Sequence, residues 1–173
     1  MAVTYKKIAS VTVGSGGAAS IEFTTIDQGY TDLLLKISGR TAAAQGVAEL
    51  QFNSSTSNLS SRILYATGAI AGSASYASVI RAGYINGTDF TANTPSNNDI
   101  YIPNYAGSTN KSVSIDSVTE NNGTDAYSML SAGLWSNTAA ITSIKIIVLN
   151  NANGVASTFA QHTTATLYGI SNS

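Results

Sequence analysis

The sequence predicts an all-β fold: one domain, built as a jelly-roll-like antiparallel β-sandwich with long Asn/Thr/Tyr-rich loops and at most one short helix. Three observations carry that expectation. Apolar residues recur at every second position in several short segments, Gly, Asn and Ser clusters separate those segments, and no βα alternation interrupts them. A chain of 173 residues is also long enough to bury a substantial core without metal or disulfide support, so 1–173 is read as a single domain.

The elements follow in order. Segments 8–13 and 19–24 flank Gly14-Ser15-Gly16-Gly17, whose glycines accept positive φ, and the pair reads as a β-hairpin. Segment 31–38 (TDLLLKIS) is apolar, lies between Gly29 and Gly39, and reads as a central strand. In 47–52, Ala48, Leu50 and Phe52 fall on one face and Glu49 and Gln51 on the other, which predicts one face in the core and one in solvent. Further strands are expected at 62–66 and 77–84. In 111–119, Val113 and Ile115 oppose Ser112, Ser114 and Asp116; in 144–149, Ile144, Ile146 and Val148 share a side; and 163–170 supplies a closing strand. Two stretches read as loop excursions. Residues 85–110 open on the turn signal Asn86-Gly87 and contain at most a short strand at 100–102. In 120–140, Met129, Leu130, Leu134 and Trp135 fit one side of a single short helix.

Composition narrows the function. Charged residues are 10% of the chain, against about 25% in an ordinary soluble domain. Ala, Ser, Thr, Asn and Gly fill more than half of it, so the surface is neutral and hydroxyl-rich. A formal charge of −1 gives no electrostatic grip on nucleic acid or anionic lipid, and neither partner is expected. It also gives little self-repulsion, which favours association of copies. The start of the chain has no continuous apolar stretch of the signal-peptide kind, and the apolar run at 144–149 is far shorter than the ~20 residues that span a bilayer.

Chemistry-bearing motifs are sparse. Cysteine is absent, which removes thiolate nucleophiles and thiolate metal sites, and His162 is the only histidine. It reads as a strand-entry or interface residue. The carboxylates are Glu22, Asp27, Asp32, Glu49, Asp89, Asp99, Asp116, Glu120 and Asp125; a glycosidase pair is set by space and not by sequence, but several of these fall at turns or on outward strand positions. Gly14–Gly17 lacks the Lys and the βαβ setting of a phosphate loop. Asn97-Asn98-Asp99 and Asn121-Asn122-Gly123-Thr124-Asp125 are oxygen-rich but lack the spaced acidic ladder of a calcium loop, and read as turns. No enzyme, cofactor or metal is expected. Nine tyrosines point instead to contact surfaces, because tyrosine offers a rigid apolar plane with a polar tip. Tyr101, Tyr105 and Tyr127 fit loop packing, a subunit contact or a glycan contact; Lys6, Lys7, Trp135 and His162 complete the candidate interface or glycan-contact set.

Three segments carry a resemblance. Ile8-Ala9-Ser10-Val11, the run Thr31-Asp32-Leu33-Leu34-Leu35-Lys36-Ile37-Ser38-Gly39-Arg40, and the ending Ala165-Thr166-Leu167-Tyr168-Gly169-Ile170 resemble small virion proteins of tailed phages of aquatic, especially marine, bacteria. The resemblance covers both ends and the first third of the chain, and residues 70–140 carry no matching pattern. It implies a jelly-roll sandwich and one of two roles. The first is a capsid decoration (cement) protein on the outer capsid surface, a homo-oligomer expected to be a trimer, partnered by the major capsid protein. The second is a tail fibre or knob component that binds host-surface carbohydrate. The absence of a visible shaft repeat favours decoration.

Overall fold

A computed structural model describes residues 5–123 and 126–171. Twelve strands follow one another: β1 (Tyr5–Thr12), β2 (Ser20–Phe23), β3 (Asp32–Gly39), β4 (Gly46–Phe52), β5 (Leu59–Thr67), β6 (Ala71–Tyr76), β7 (Ile80–Ile85), β8 (Ser96–Ile102), β9 (Lys111–Thr119), β10 (Tyr127–Trp135), β11 (Ile144–Asn150) and β12 (Thr164–Ile170). They form two sheets, ordered β1-β12-β3-β8-β9-β10-β5-β6 and β2-β11-β4-β7, and all pairs of named strands are antiparallel. The expectation of an all-β, two-sheet sandwich is met. Among the described residues there is no helix.

The core lies between the sheets. Leu33, Leu35 and Ile37 of β3, Ile100 and Ile102 of β8, and Val113 and Ile115 of β9 face Leu50 and Phe52 of β4 and Ile144 and Ile146 of β11, all buried in one cluster. Burial of such side chains stabilises by about 1.5–3 kcal/mol each relative to leaving them exposed. Trp135 ends β10 inside this cluster, with its ring centroid 5.8 Å from that of Phe52.

Four expectations need correction. The segments around Gly14–Gly17 do not form a hairpin: β1 pairs with β12 and β2 with β11, so the turn carries the chain from one sheet to the other. Its geometry is tight all the same, with Gly17 N–H donating to Gly14 O at 3.0 Å and Gly17 at φ 70°. The crossing lets Val13 on one side and Ile21 and Phe23 on the other enter the shared core, which a local hairpin does not achieve. Residues 120–140 hold strand β10 in place of a helix, since Met129 and Trp135 point inward while Leu130 points outward. Within 85–110, the strand is seven residues long and lies between β3 and β9; its inward positions include Ser96 and Asn98, and these polar residues mask the alternation. Glu49 is buried and not solvent-facing, because β4 lies between β11 and β7 and its partner across the ladder is Arg81, with Nη1 3.1 Å from Oε1.

Side chains from the large sheet hold the edge strand β7 in place. Arg81 N–H and Tyr84 N–H donate to Ser61 Oγ (3.2 Å) and Ser117 Oγ (3.0 Å), Ser61 Oγ donates to Val79 O (3.0 Å), and Asn98 Nδ2 donates to Ala82 O (2.9 Å). Each bond satisfies a buried group that would otherwise be costly. The chain turns out of register with β4 at this point, and Gly83 adopts φ 112°. A Cβ there would sit 1.9 Å from Asn98 Nδ2 and 2.5 Å from Ser117 Oγ. The loop after β7 is strapped as firmly: Arg40 Nη1 donates to Thr91 O (2.8 Å) and Thr94 O (2.6 Å), Arg40 Nη2 to Gly87 O, and Asn86 Nδ2 to Thr94 O (3.0 Å).

Gly83→Ala should therefore cost about 2–4 kcal/mol in urea denaturation, combining a left-handed backbone with a clash. Gly16→Ala, with nothing within 4 Å of the added carbon, should stay within about 0.5 kcal/mol of the parent.

Candidate functional site: the outer face of the large sheet

The register of the large sheet sets out its outward side chains in rows. One row runs Tyr168, Leu34, Tyr101, Ser114, Ala132, Arg62 across β12, β3, β8, β9, β10 and β5. The next runs Lys36, Asp99, Asp116, Leu130, Leu64. A third brings Asn97, Val118, Ser128 and Ala66 together. Strand alternation sends Ile63 and Met129 into the sandwich and leaves Leu64 and Leu130, directly opposite one another, on the surface. Leu64 is 62% exposed, Leu130 57% and Val118 45%. Around them stand Ser73, Ser114, Ser128, Ala66 and Ala132, lining two adjoining shallow hollows. The β5-β6-β9-β10 half of this face is thus apolar and small, and the only charges among these side chains are Arg62 and Asp116.

The other half is more polar. Tyr5, Leu34, Lys36, Asp99 and Tyr168 line a third hollow near β1. Lys36 is ion-paired with Asp99, and Asp116 faces Asp99 directly across the β8–β9 ladder. Tyr101 OH donates to Asp32 Oδ2 at 2.8 Å while Asn104 N–H donates to Oδ1 at 2.9 Å, so Asp32 is capped from two sides. That hydrogen bond to Asp32, aided by burial, raises the Tyr101 hydroxyl above its ordinary pKa.

The sequence-derived candidates are scattered by the fold. Lys6 and Lys7 are exposed on the edge strand β1, and Lys7 pairs with Tyr168. Tyr101 lies on the same sheet face. Tyr127 points to the opposite side of the sheet, packed against Tyr84 (4.8 Å between centroids) and Phe90 (6.3 Å). His162 sits exposed in the turn before β12 with φ 70°, beside Arg40 and Pro95. Tyr105 and Trp135 are corrected out of any contact surface, because both are buried: Tyr105 is 0% exposed and its hydroxyl donates to Asp27 O. Each fills space inside the sandwich that a smaller residue would leave empty. Sequence reasoning passed over the exposure of Leu64, Leu130 and Val118, and also that of Tyr5, Ile70 and Val155. For Leu64 and Leu130 a signal was present as adjacent apolar pairs, Ile63-Leu64 and Met129-Leu130, which place apolar groups on both faces of a strand; Val118, between Ser117 and Thr119, carries no such pair.

Comparison of the chain with family models, with curated proteins and with solved structures gives no match in any of the three. The functional reading therefore rests on this geometry.

Apart from Asp99 and Asp116, which face each other across the β8–β9 ladder, the described carboxylates are held locally. Glu22 pairs with Lys145 at 2.7 Å, and the Lys145 hydrogen bond lowers the Glu22 pKa. Asp27 accepts from Gly29 N–H (3.0 Å), Asp89 from Gln45 N–H (2.7 Å), and Glu120 from Asn121 and Asn122 N–H (3.1 and 2.8 Å). Asp125 lies outside the described residues. Among the described residues no three His, Cys, Asp or Glu side chains cluster as a metal site. Lys111 is buried too, its ammonium donating to Gly107 O (2.6 Å), Thr109 O and Thr138 O (3.4 Å), and burial lowers its pKa.

Two stability measurements probe these charges. Asp116→Asn removes a like charge opposite Asp99 and should stabilise by a few tenths to about 1 kcal/mol in urea melts. Burial raises the Glu49 pKa against a smaller opposing effect of Arg81. The unfolded chain then loses that proton at lower pH than the folded one, so this group's contribution to stability falls as pH rises through the carboxylate range. The melting temperature of Glu49→Gln, taken relative to the parent, should accordingly be higher at pH 7 than at about pH 4.

Proposed function

We propose that this chain is a non-enzymatic structural protein of a tailed-phage virion: a capsid decoration protein that binds the assembled major capsid protein on the outer capsid surface. The virion setting is what the resemblance of segments 8–11, 31–40 and 165–170 implies, and the observation that carries the protein contact is the apolar patch of Leu64, Leu130 and Val118 on an otherwise small and hydroxyl-rich sheet face. Exposed contiguous apolar surface rimmed by polar residues is the mark of a protein contact. The scarcity of charge on that half suits a partner recognised by shape, apolar burial and amide hydrogen bonds, with weak dependence on salt.

The strand order supports the same reading at the level of architecture. With the β5–β6 and β9–β10 hairpins set aside, the remaining strands run β1-β12-β3-β8 and β2-β11-β4-β7. That order is the one expected of an eight-stranded jelly roll made of two Greek keys, and we take the fold to be a jelly roll with two inserted hairpins. Jelly rolls serve as capsid and as lectin domains alike, so the argument for decoration comes from the patch and not from the fold. Decoration would stabilise the shell by mass action, since a ligand that binds only the assembled form favours it. A homotrimer at a local three-fold position belongs to the proposal, and the near-zero net charge imposes little repulsion between copies.

Cryo-electron microscopy of intact particles tests the reading. Many copies at symmetry-related capsid seams are expected, contacting the coat through Leu64 and Leu130. A few copies at the tail would overturn it in favour of binding to a host-surface glycan. The double variant Leu64→Ser/Leu130→Ser should fold with a melting temperature near the parent's, because both side chains face outward. It should lose at least tenfold in affinity for purified shells, a loss of about 1.4 kcal/mol or more.

A further inference from the structure

We infer that the free edge of β6 pairs with β6 of a second copy of this chain, antiparallel and across a two-fold axis, so that two large sheets join into one. A sheet edge presents a row of unpaired backbone N–H and C=O groups that accept another strand, and edges not meant for pairing are short, bulged, charged or covered. β6 (Ala71–Tyr76) ends the large sheet, and its only strand neighbour is β5. Among the described residues no backbone bond outside that ladder reaches 71–76.

Each of the other three edges carries a safeguard. β1 presents the exposed Lys6 and Lys7 and a register shift between Lys7 and Ala9. β2 is four residues long, and its exposed Glu22 is ion-paired with Lys145. β7 has backbone groups taken up by Ser61, Asn98 and Ser117 of the large sheet. β6 has none of these devices. From Ile63 to Ile80 the sequence holds neither a charged residue nor a proline, and β6 follows β5 without a register shift. Ile70, which leads into the strand, is 65% exposed.

The strand suits a copy of itself. Ala71, Ser73 and Ser75 alternate with Gly72, Ala74 and Tyr76, and Ser73 lies opposite Leu64, on the outer face. Residues that meet across an antiparallel pair share a face, so a two-fold axis beside Ser73 sets Ser73 against Ser73, Gly72 against Ala74 and Ala71 against Ser75. Only small neutral side chains meet, and Ile70 of each copy comes level with Tyr76 of the other. Any charge beside the axis would face its own like, and the strand carries none. The same register runs the row Leu130, Leu64, Ser73 of one copy into that of the other. At about 4.8 Å per strand the two Leu64 positions stand about 14 Å apart on one continuous surface. A net charge of −1 opposes the approach of a second copy only weakly. A two-fold contact links copies that a three-fold keeps in separate trimers, so it adds to the arrangement proposed for the shell and does not depend on it.

Sedimentation equilibrium of the intact chain at about 100 µM tests this. A dimer is expected, or a pair of trimers if the chain also trimerises. Ser73→Lys sets like charges against each other at the axis and should raise the dissociation constant of the edge contact about tenfold or more, halving the mass. Its melting temperature should stay near the parent's, because the Ser73 side chain is exposed. Amide hydrogen exchange of the parent should show residues 71–75 gaining protection as concentration rises. Leu64→Ser/Leu130→Ser should leave the mass unchanged, which separates the edge contact from association through the apolar face. A monomer or a lone trimer at that concentration overturns the inference, and so does a mass that falls in the leucine variant but not in Ser73→Lys. Protection of 71–75 that appears only when purified shells are added assigns the edge to a coat strand and overturns self-pairing as well.

Discussion

The stitching of β7 to the large sheet is the constraint on which the rest of the molecule depends. A sandwich whose smaller sheet ends in an open edge has to satisfy the backbone groups of that edge inside the protein, where no water replaces a missing partner. Here Ser61, Asn98 and Ser117 reach across from β5, β8 and β9 to do so, and Gly83 provides the close approach. These bonds fix how far β7 lies over the large sheet, and hence where the apolar interior ends. Beyond that line, β5, β6 and β10 extend past the small sheet, and their inner side chains meet Arg81 and Tyr84 in a cleft in place of a packed core. The polar cleft is thus a direct result of how the edge is closed.

The exposed Leu64, Leu130 and Val118 and the cleft lie on the same half of the large sheet, around β5, β6, β9 and β10. The β5–β6 and β9–β10 hairpins contribute the outward Leu64, Leu130 and Val118, and on their inner side Ile63, Tyr76 and Met129. The strands at the other end, β1, β12, β3 and β8, carry Lys36 paired to Asp99 among Tyr5, Leu34 and Tyr168 on the outer face. A sheet widened by hairpins gains area on both faces without changing the core that supports it, and a widened face is where new contacts can be made at small cost to stability.

How much was legible in the sequence follows from what sets each feature. Strands β3, β4, β9 and β11 were readable because Leu33, Leu35 and Ile37, Ala48, Leu50 and Phe52, Val113 and Ile115, and Ile144, Ile146 and Val148 take alternate inward positions. Strand β8 was hidden because Ser96 and Asn98 take inward positions for hydrogen bonding, which period-two reading scores as solvent. Strand β10 was misread as helical because Met129, Leu130, Leu134 and Trp135 satisfy a spacing of three to five as readily as an alternation, and only pairing with β5 and β9 decides between them. Among the candidate contact residues, the tyrosine-rich composition was informative about surfaces, but an amphipathic side chain such as Tyr105 fits a buried site with one hydrogen bond equally well.

The sequence by itself determined the fold class, the scarcity of charge, the absence of thiol chemistry and the positions of the strongest strands, since all of these depend on residue type and local period. Tertiary structure alone decided the partners of each strand, because pairing β1 with β12 across 155 residues between Ser10 and Ala165 is favoured by shared core burial and not by any local signal. It alone decided that Glu49 is buried against Arg81, that Leu64 and Leu130 stand side by side in the open, and that Tyr76 of β6 meets Arg81 and Tyr84 of β7 in one cleft. Each of these is a fact about which residues become neighbours, and neighbourhood between distant segments is set by how two sheets close over a common core.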